Sequence, residues 1–402
     1  MKLRITFIIS AFILFSFAAK AQTTDDILNV LVAKGTITQQ DADSLRADYA
    51  IKQQDIKAKQ KAFPVNAGGK SFNISGYTQV RFQDFQKQTV NPQNGFDIRR
   101  ARLDFTGSFD PKFDYRLQAD FVGSTGATGT AATGGALLSP TLLDAYIVYK
   151  PFKDYLKFTA GQFYVPFSLE NVSSDRSLDF IDRSQVVNAL VARKGDGSNG
   201  LVDSLGNQNG RDLGIQASGS VIPYNGGNLV DYYVAYLNGA GIDVVDNNKN
   251  KDVSARLVVH PYTGLDVGAS YYNGYDKFTG GTSGDRFRWG YELAYTYKAF
   301  NLKTEIISGQ DGNTLSKHVD HQGGYVQAGY FFVPKKFQVV AKYDTYDAVE
   351  GKLNGQSTYY ILGANYYFNS WAKIQADYRK ADGKGATNSN NDLFVTQLQI
   401  AF

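Results

Sequence analysis

The sequence predicts an all-β protein, a transmembrane antiparallel β-barrel of about sixteen strands preceded by a short N-terminal helical hairpin. The first observation is the segment Asp392–Phe402, in which apolar and polar side chains alternate up to an aromatic residue. Such alternation indicates a strand with one apolar and one polar face. The second is an N-terminal apolar run typical of exported proteins. The third is that no later run approaches the ~18 consecutive apolar residues of a spanning helix. Insertion into a membrane would then require a closed barrel, because only helices and barrels satisfy the backbone in lipid.

The N-terminus has the pattern of a secretory signal peptide. Lys2 and Arg4 precede an apolar run over residues 5–19, and Ala19-Lys20-Ala21 has the small-x-small pattern of a cleavage site. An uncleaved anchoring helix is the alternative, but the run is short and the Ala-x-Ala site favours cleavage. We therefore expect residues 1–21 to be removed after Ala21 and the mature chain to reach the outer membrane of a Gram-negative cell.

The composition agrees with a barrel. The chain has 27 Tyr, 27 Phe and 40 Gly but no Cys, and aromatic residues suit the girdles at both membrane interfaces. Without disulfides, stability must come from the strand ladder. The signal peptide contains three of the 42 bases and no acid, so 39 bases face 38 acids and the mature charge is +1. That balance gives no support for nucleic-acid binding.

Residues 22–61 differ from the rest of the chain. Apolar residues at helical spacing over 27–32, ended by Gly35, predict one helix, and the capping pattern of Thr38–Asp41 predicts a second. We expect a small periplasmic helical hairpin whose role is left open. Residues 62–70 contain Pro64 and two consecutive glycines and are predicted to form a linker.

From Ser71 to Phe402 the pattern is strand, short turn, strand, long loop. The expected strands are 71–86, 96–109, 112–122, 141–150, 154–163, 211–221, 229–238, 252–260, 265–275, 286–298, 300–309, 323–333, 336–346, 357–368, 371–380 and 392–402. The short turns are placed at Pro111, Pro151, Pro223, Pro261, Phe300, Pro334 and Asn369. An even strand number puts both ends in the periplasm. A soluble β-sandwich shares the alternation, but the strand number and the signal peptide make it the weaker alternative.

Three stretches resemble a known family. They are Gly76-Tyr77-Thr78-Gln79-Val80-Arg81-Phe82, Phe96-Asp97-Ile98-Arg99-Arg100-Ala101-Arg102-Leu103 and Gly161-Gln162-Phe163-Tyr164-Val165-Pro166-Phe167-Ser168-Leu169-Glu170. Their order and spacing resemble the phosphate-selective porin O and P family, and Leu178–Ser184 is similar to its pore-loop region. The resemblance implies a trimeric, sixteen-stranded outer-membrane porin, surrounded by lipid, that passes small anions or polar solutes. It also implies a third external loop that folds into the lumen.

Residues 164–210 form the longest predicted loop, and a loop of this length is usually functional. Its apolar residues indicate packing on the wall, which favours an inward-folded pore loop over a solvated external loop. The apolar residues are Phe167, Leu169, Leu178, Phe180 and Ile181. The candidate pore-lining residues of this loop are Tyr164, Ser168, Glu170, Arg176, Asp182 and Arg183.

The wall opposite this loop is the candidate for the basic side of the pore. The hairpin loop 87–95 predicts that Arg81, Arg100 and Arg102 point inward at one height, and rings of bases are how anion pores select. The alternative is neutralisation across strands, with Arg116 near Asp104 and Arg102 near Gln118 or Asp120. Inward positions carry a modest excess of bases over acids, which predicts a weak anion preference and no dedicated phosphate trap.

One position departs from the family pattern, which often carries Lys two residues before the proline of the Val-Pro-Phe stretch. Here that residue is Tyr164, which puts phosphate specificity in doubt and could equally stack against sugars.

The resulting hypothesis is a passive channel for small hydrophilic solutes with a mild anion preference that includes phosphate. A barrel enzyme and an adhesin or structural barrel are the alternatives. The sequence predicts no catalytic residue, because none of His260, His318 and His321 has an evident serine partner. It predicts no cofactor or metal. The His318–His321 pair and the oxygen-rich stretch 243–252 are weak metal patterns, and Phe402 is the predicted assembly signal.

Overall fold

In the computed structural model of the protein, the described residues are 28, 31–32, 34, 65–67, 70–87, 94–122, 140–191, 210–224, 226–243, 246, 248–277, 283–312, 318–348, 356–383 and 391–402. The chain divides into two compact units, Met1–Lys59 and Gln60–Phe402. In the first unit, Leu28, Leu31 and Val32 are helical and Lys34 lies in a turn. The predicted cleavage site and the second helix lie outside these residues and stay predictions. Among all the residues that the structure describes, no helix is long and apolar enough to span a membrane.

The second unit is built from strands. They are β1 (Val65–Ala67), β2 (Lys70–Phe85), β3 (Gly95–Asp110), β4 (Phe113–Asp120), β5 (Thr141–Tyr149), β6 (Lys157–Tyr164), β7 (Arg211–Tyr224), β8 (Gly227–Leu237), β9 (Asp252–Tyr262), β10 (Leu265–Lys277), β11 (Ser283–Tyr297), β12 (Phe300–Gly312), β13 (His318–Val333), β14 (Phe337–Asp347), β15 (Gln356–Tyr367), β16 (Ala372–Gly383) and β17 (Leu393–Ala401). Between β6 and β7 lie helix α1 (Leu169–Val172), a 3₁₀ turn (Asp175–Ser177) and helix α2 (Gln185–Leu190).

Strands β2 to β17 form a closed antiparallel barrel of sixteen strands, which confirms the predicted fold class. Each strand pairs with the next, and β17 closes the sheet against β2 with Ala401 opposite Tyr77. The short strand β1 pairs with the start of β2, with Val65 opposite Phe72, in the region predicted to be a linker. Closure leaves no long unpaired strand edge.

The sides of β17 follow its sequence. Phe394 and Leu398 point outward and are 44% and 43% exposed, whereas Val395 and Gln397 point inward and are 3% and 1% exposed. This is the predicted arrangement, an apolar outer face and a mixed inner face that includes polar groups. The same period of two continues along most of the wall and is interrupted at bulges, such as the one after Gln79.

The seam between the first and last barrel strands depends on a close approach. The Gly76 N–H donates to the Phe402 carbonyl at 3.0 Å, and the Phe402 N–H donates to the Gly76 carbonyl at 2.9 Å. A Cβ added to Gly76 would lie 2.7 Å from Cζ of the Phe402 ring. The absence of a side chain at Gly76 therefore lets this ring lie flat against the seam.

Some boundaries differ from the prediction. Pro223 was expected in a turn but lies inside β7, opposite Asn228. Strand β13 begins at His318 and not at 323, because its pairing with β12 extends to Gly312 opposite His318. His318 and His321, which the predicted strand bounds leave in a loop, therefore lie inside β13. The rim that holds the connections after β3, β11 and β13 is called the short-turn rim, and the opposite rim, where β6 ends and β7 begins, is called the long-loop rim.

Candidate functional site

Residues 165–191, the pore segment from here on, follow β6 and pack against inward-facing side chains of the barrel. Their apolar residues join buried residues of β8, β10, β12 and β13 in one cluster. Its members are Phe163, Val165, Phe167, Val186, Val187, Leu190, Val191, Ala235, Leu237, Tyr272, Ile307 and Tyr325. Ile181 packs separately against Leu393 and Val395 of β17. Of the predicted anchors, Phe167, Leu178, Phe180 and Ile181 are buried and Leu169 is half-buried.

Three carboxylates of the wall hold the backbone of the pore segment. Glu305 of β12 accepts from the Leu169 and Glu170 N–H groups at 3.0 and 2.8 Å. Asp377 of β16 accepts from the Ile181 N–H at 2.9 Å. Asp344 of β14 accepts from the Gln185 N–H at 3.0 Å, at the first residue of α2, where a helix has no backbone partner of its own. These bonds fix the pore segment at three alternate strands, β12, β14 and β16.

Glu170 carries the strongest polar contacts of α1. Its carboxylate accepts from Lys342 Nζ at 2.9 Å and from the N–H and hydroxyl of Ser184, each at 2.7 Å. Burial raises the pKa of Glu170, but the Lys342 ammonium and the Ser184 hydrogen bonds outweigh it, so this pKa lies below its usual range. Ser168 caps α1 with its hydroxyl, which accepts from the Asn171 N–H at 3.2 Å. It is a buried structural residue rather than one facing an open channel.

Asp175 is the centre of an arginine cluster. Arg100 of β3 lies 3.1 Å from its carboxylate, and Arg102 and Arg183 also pair with it. Arg102 pairs in addition with Asp120 of β4 at 2.7 Å. Burial would raise the pKa of Asp175, but the charges of Arg100, Arg183 and Arg102 outweigh it and hold this pKa well below its usual range. The predicted wall arginines therefore face a carboxylate of the pore segment.

The prediction that three arginines share one height was wrong for Arg81. Strands β2 and β3 pair with Gln79 opposite Arg100 and Tyr77 opposite Arg102, while Arg81 stands opposite Asp97. At about 3.3 Å per residue the three spread over roughly 13 Å along the wall. The register differs from the predicted one because the hairpin is centred earlier and a bulge follows Gln79.

The same bulge accounts for a residue that the prediction missed. Alternation would turn Arg99 outward, but its guanidinium lies 3.3 Å from the Asp182 carboxylate. The same carboxylate lies 3.8 Å from Arg81. Arg81 binds Asp97 at 2.5 Å. Burial raises the pKa of Asp182, but Arg99, Arg81 and Arg100 outweigh it and lower this pKa below its usual range. Each charge of this group faces an opposite charge.

A second paired group lies around Asp144 of β5. Arg211 binds it at 2.7 Å and Arg116 lies 3.3 Å away, while Arg116 also binds Asp104 at 2.9 Å. The guanidinium of Arg211 stacks on Tyr164, with its Cζ 3.7 Å from the ring centre. Tyr164 is therefore covered by a cation. Arg211 and its pairing with Asp144 were missed, because the two residues become neighbours only when β5, β6 and β7 pair.

Two half-buried bases near the pore segment make no ion pair with any residue that the structure describes. Arg176 of the 3₁₀ turn is half-buried, and its carbonyl accepts from Gln399 at 3.4 Å. Arg379 of β16 is half-buried and lies 4.5 Å from the ring centre of Tyr359. In contrast, the wall acids Glu305, Asp344 and Asp377 are 2%, 1% and 3% exposed beneath the pore segment.

The weak metal patterns do not converge. His318 is exposed and His321 is buried, on opposite faces of β13, and His321 Nε2 lies 3.2 Å from Asp311. Within the described ranges, no group of three or more His, Asp or Glu residues is placed to hold a metal ion.

Comparisons with known proteins agree with this architecture. Residues 72–402 match the family described as phosphate-selective porin O and P. The chain is 23% identical over 401 residues to Porin O of Pseudomonas aeruginosa, which covers 83% of this chain and 88% of that protein. The anion-selective porin from Comamonas acidovorans has the same fold, at 12% identity over 83% of this chain and 100% of that one, with a TM-score of 0.62. So has in-vitro folded OmpT of Vibrio cholerae in its trimer form, at 12% identity, 83% and 100% coverage and a TM-score of 0.55. Because the family match spans more than half of the chain, this protein belongs to the phosphate-selective porin O and P family of outer-membrane porins.

Proposed function

We propose that this porin is a passive channel for small hydrophilic solutes with a mild preference for anions. The observation that carries the preference is an asymmetry of exposure. The carboxylates Glu305, Asp344 and Asp377 are buried against backbone N–H groups, whereas the bases Arg176 and Arg379 are half-buried and lack an ion pair in the described part of the chain. Charges that face low-dielectric protein on one side and solvent on the other set the field in a pore. The relatives titled anion-selective porin and Porin O fit this proposal.

We propose further that the pore segment narrows the channel. It leaves the wall at β6 and binds β14, which is eight strands further round a barrel of sixteen. It also pairs with Arg100 and Arg102 of β3. A segment held at such separated strands crosses the lumen, so solutes would pass beside it.

The pairing of the wall arginines argues against a dedicated phosphate site. Arg81, Arg100, Arg102 and Arg116 each bind at least one carboxylate. Tyr164, at the position where the family pattern has Lys, is stacked beneath Arg211. We therefore expect phosphate to pass as one anion among several and to block chloride current only weakly.

The surroundings and assembly follow from the same proposal. The apolar outward side chains of alternate residues would contact outer-membrane lipid, and three barrels would associate, as the trimer form of Vibrio cholerae OmpT suggests. A channel rather than an enzyme also fits the histidines. The ring nitrogens of His260 lie 3.3 Å from Asp231 and 2.6 Å from Asp266, which supports a structural role.

The test is the zero-current potential across a planar bilayer with a KCl gradient. Arg176→Gln and Arg379→Gln should each move it towards cation preference, and the double variant should move it further. The matched control is Lys380→Gln, which removes the same charge one residue away on the outward face of β16. A barrel that opens no ion-conducting pores would overturn the channel proposal. If neither substitution changes the zero-current potential, the assignment of the anion preference to these two arginines is wrong.

A further inference from the structure

The outer surface of the barrel has a break in its aromatic girdle. The strand registers define one row of outward side chains near the long-loop rim, which runs Tyr271, Trp289, Ser308, Gln322, Asp347 and Gln356 from β10 to β15. Tyr271 and Trp289 are 45% and 42% exposed aromatic residues. From β12 onward the row is polar. A membrane interface favours aromatic residues at this level. The polar stretch lacks them, which suggests that its polar groups contact another molecule.

A groove lies directly beneath the polar stretch. In the next row Ile306, Gly324, Thr345 and Thr358 stand side by side, and in the row below are Thr304, Val326, Tyr343 and Tyr360. Because Gly324 has no side chain, a groove of about 330 Å³ opens between its neighbours. A Cβ at Gly324 would lie 2.6 Å from the Glu305 carbonyl oxygen, so the close approach of β12 requires glycine there.

The groove is apolar at its lower end and polar at its upper end. Its lower walls are Ile306, Val326 and Tyr343, which are 55%, 49% and 44% exposed on the outer face. Its upper walls are amides and hydroxyls, including Gln322 and Gln356. The Gln356 amide donates to the Thr345 hydroxyl at 3.2 Å. The Gln322 amide makes no hydrogen bond within the described residues. An amide at a membrane boundary is costly unless a neighbouring polar group satisfies it.

The geometry points to a binding site for an amphiphile whose head is uncharged and carries hydroxyl groups, with its apolar chain against Ile306, Val326 and Tyr343. The volume falls within the ~300–1,000 Å³ typical of small-molecule sites. Neither Lys nor Arg lines the groove, so no side chain there could bind a phosphate-bearing head group through two hydrogen bonds. Asp347 at the upper end also repels an anion. Hydroxyl groups suit the amides because they both donate and accept.

The site can be probed with single-tryptophan barrels and brominated amphiphiles. Trp289 and Trp371, the two tryptophans of the chain, are replaced by Phe. Tyr343→Trp then places a reporter in the groove. Tyr236→Trp places one on β8, at an outward position of similar exposure, 52% against 44%. The barrels are reconstituted in phosphatidylcholine vesicles that contain a few mole per cent of an alkyl maltoside brominated on its chain.

Binding predicts that the brominated maltoside quenches the groove reporter at least twofold more than the β8 reporter at the same mole fraction. Thr345→Phe should fill the groove and remove the difference, whereas Thr396→Phe, an outward threonine of β17, should leave it. Brominated phosphatidylcholine should quench both reporters equally, which verifies separately that both face lipid. Equal quenching by the maltoside would overturn the site. If every brominated amphiphile quenches the groove reporter less than the β8 reporter, another protein chain covers the face and the proposal fails.

Discussion

The ammonium of Lys342 lies 2.9 Å from Oε1 of Glu170, and the two side chains are 0% and 6% exposed. Lys342 belongs to β14 and Glu170 to α1, so this ion pair ties the pore segment to the wall opposite the strand from which it departs. The aromatic rings of Phe180 and Tyr325 lie 5.0 and 4.7 Å from the ammonium and shield it from water. Removing one partner of such a buried pair destabilises the protein far more than removing both.

Lys342→Met should therefore loosen the pore segment. It leaves the Glu170 carboxylate buried with only the Ser184 hydrogen bonds, and removing one partner of a buried pair costs about 3–5 kcal/mol. We expect larger and noisier single-channel conductance, because the pore segment would leave its position part of the time. The double variant Lys342→Met/Glu170→Gln removes both charges and should recover most of the wild-type conductance. Equal noise in the single and double variants would show that the pair does not hold the pore segment.

Phe402→Ala should impair barrel closure. The variant keeps the two backbone hydrogen bonds to Gly76 but removes the ring that covers this glycine. We expect a lower fraction of heat-modifiable barrel in the outer membrane and more unfolded chain. Phe394→Ala is the control, since it removes an outward aromatic of similar exposure from the other end of β17. Equal yields of the two variants would rule out a special role of Phe402 in assembly.

The fold was predictable from the sequence because each strand carries its own pattern. Period-two alternation, as in Phe394–Phe402, depends only on local order, so the strand number and closure followed from it. The height of Arg81 relative to Arg100 did not follow, because a bulge after Gln79 and the hairpin length set it. Arg99 shows the same limit, since alternation alone turns it away from Asp182.

The site was predictable only in part for a related reason. The residue types of the pore segment and its apolar anchors could be read directly, but their partners come from strands far away in sequence. Asp175 meets Arg102 across 73 residues, and Glu170 meets Lys342 across 172. Such pairs depend on which strands the pore segment contacts, and no local pattern encodes those contacts. The role of Asp377 as an acceptor for the Ile181 N–H could not be predicted for the same reason.

The ion pairs of Asp175 and Asp182 should break only at low pH. The pKa values of Asp175 and Asp182 lie below the usual aspartate value of about 3.9. A carboxyl whose pKa is depressed by folding contributes its full stabilisation above the unfolded value and loses it as pH falls towards the depressed one. The stabilisation that these two carboxylates give the pore segment should thus be complete above about pH 5 and be lost below about pH 4, where the conductance becomes noisier. Asp175→Asn should already be noisy at neutral pH. A transition near pH 6 that is present in the wild type and absent from Asp175→Asn would contradict this assignment.

Arg102 offers the sharpest test of how the wall sets selectivity. Its guanidinium lies between Asp120, at 2.7 Å, and Asp175, and it cannot be neutralised at any working pH. Arg102→Gln leaves Asp120 without its cation, so the zero-current potential in a KCl gradient should move towards cation preference. The shift should shrink at about 1 M salt, where the screening length is about 3 Å. Arg102→Gln/Asp120→Asn removes one charge of each sign and should return the potential close to that of the wild type. If the single variant leaves selectivity unchanged at low salt, the Arg102 charge is fully hidden in its ion pairs. The anion preference would then depend on the half-buried bases Arg176 and Arg379, which have no ion pair among the described residues.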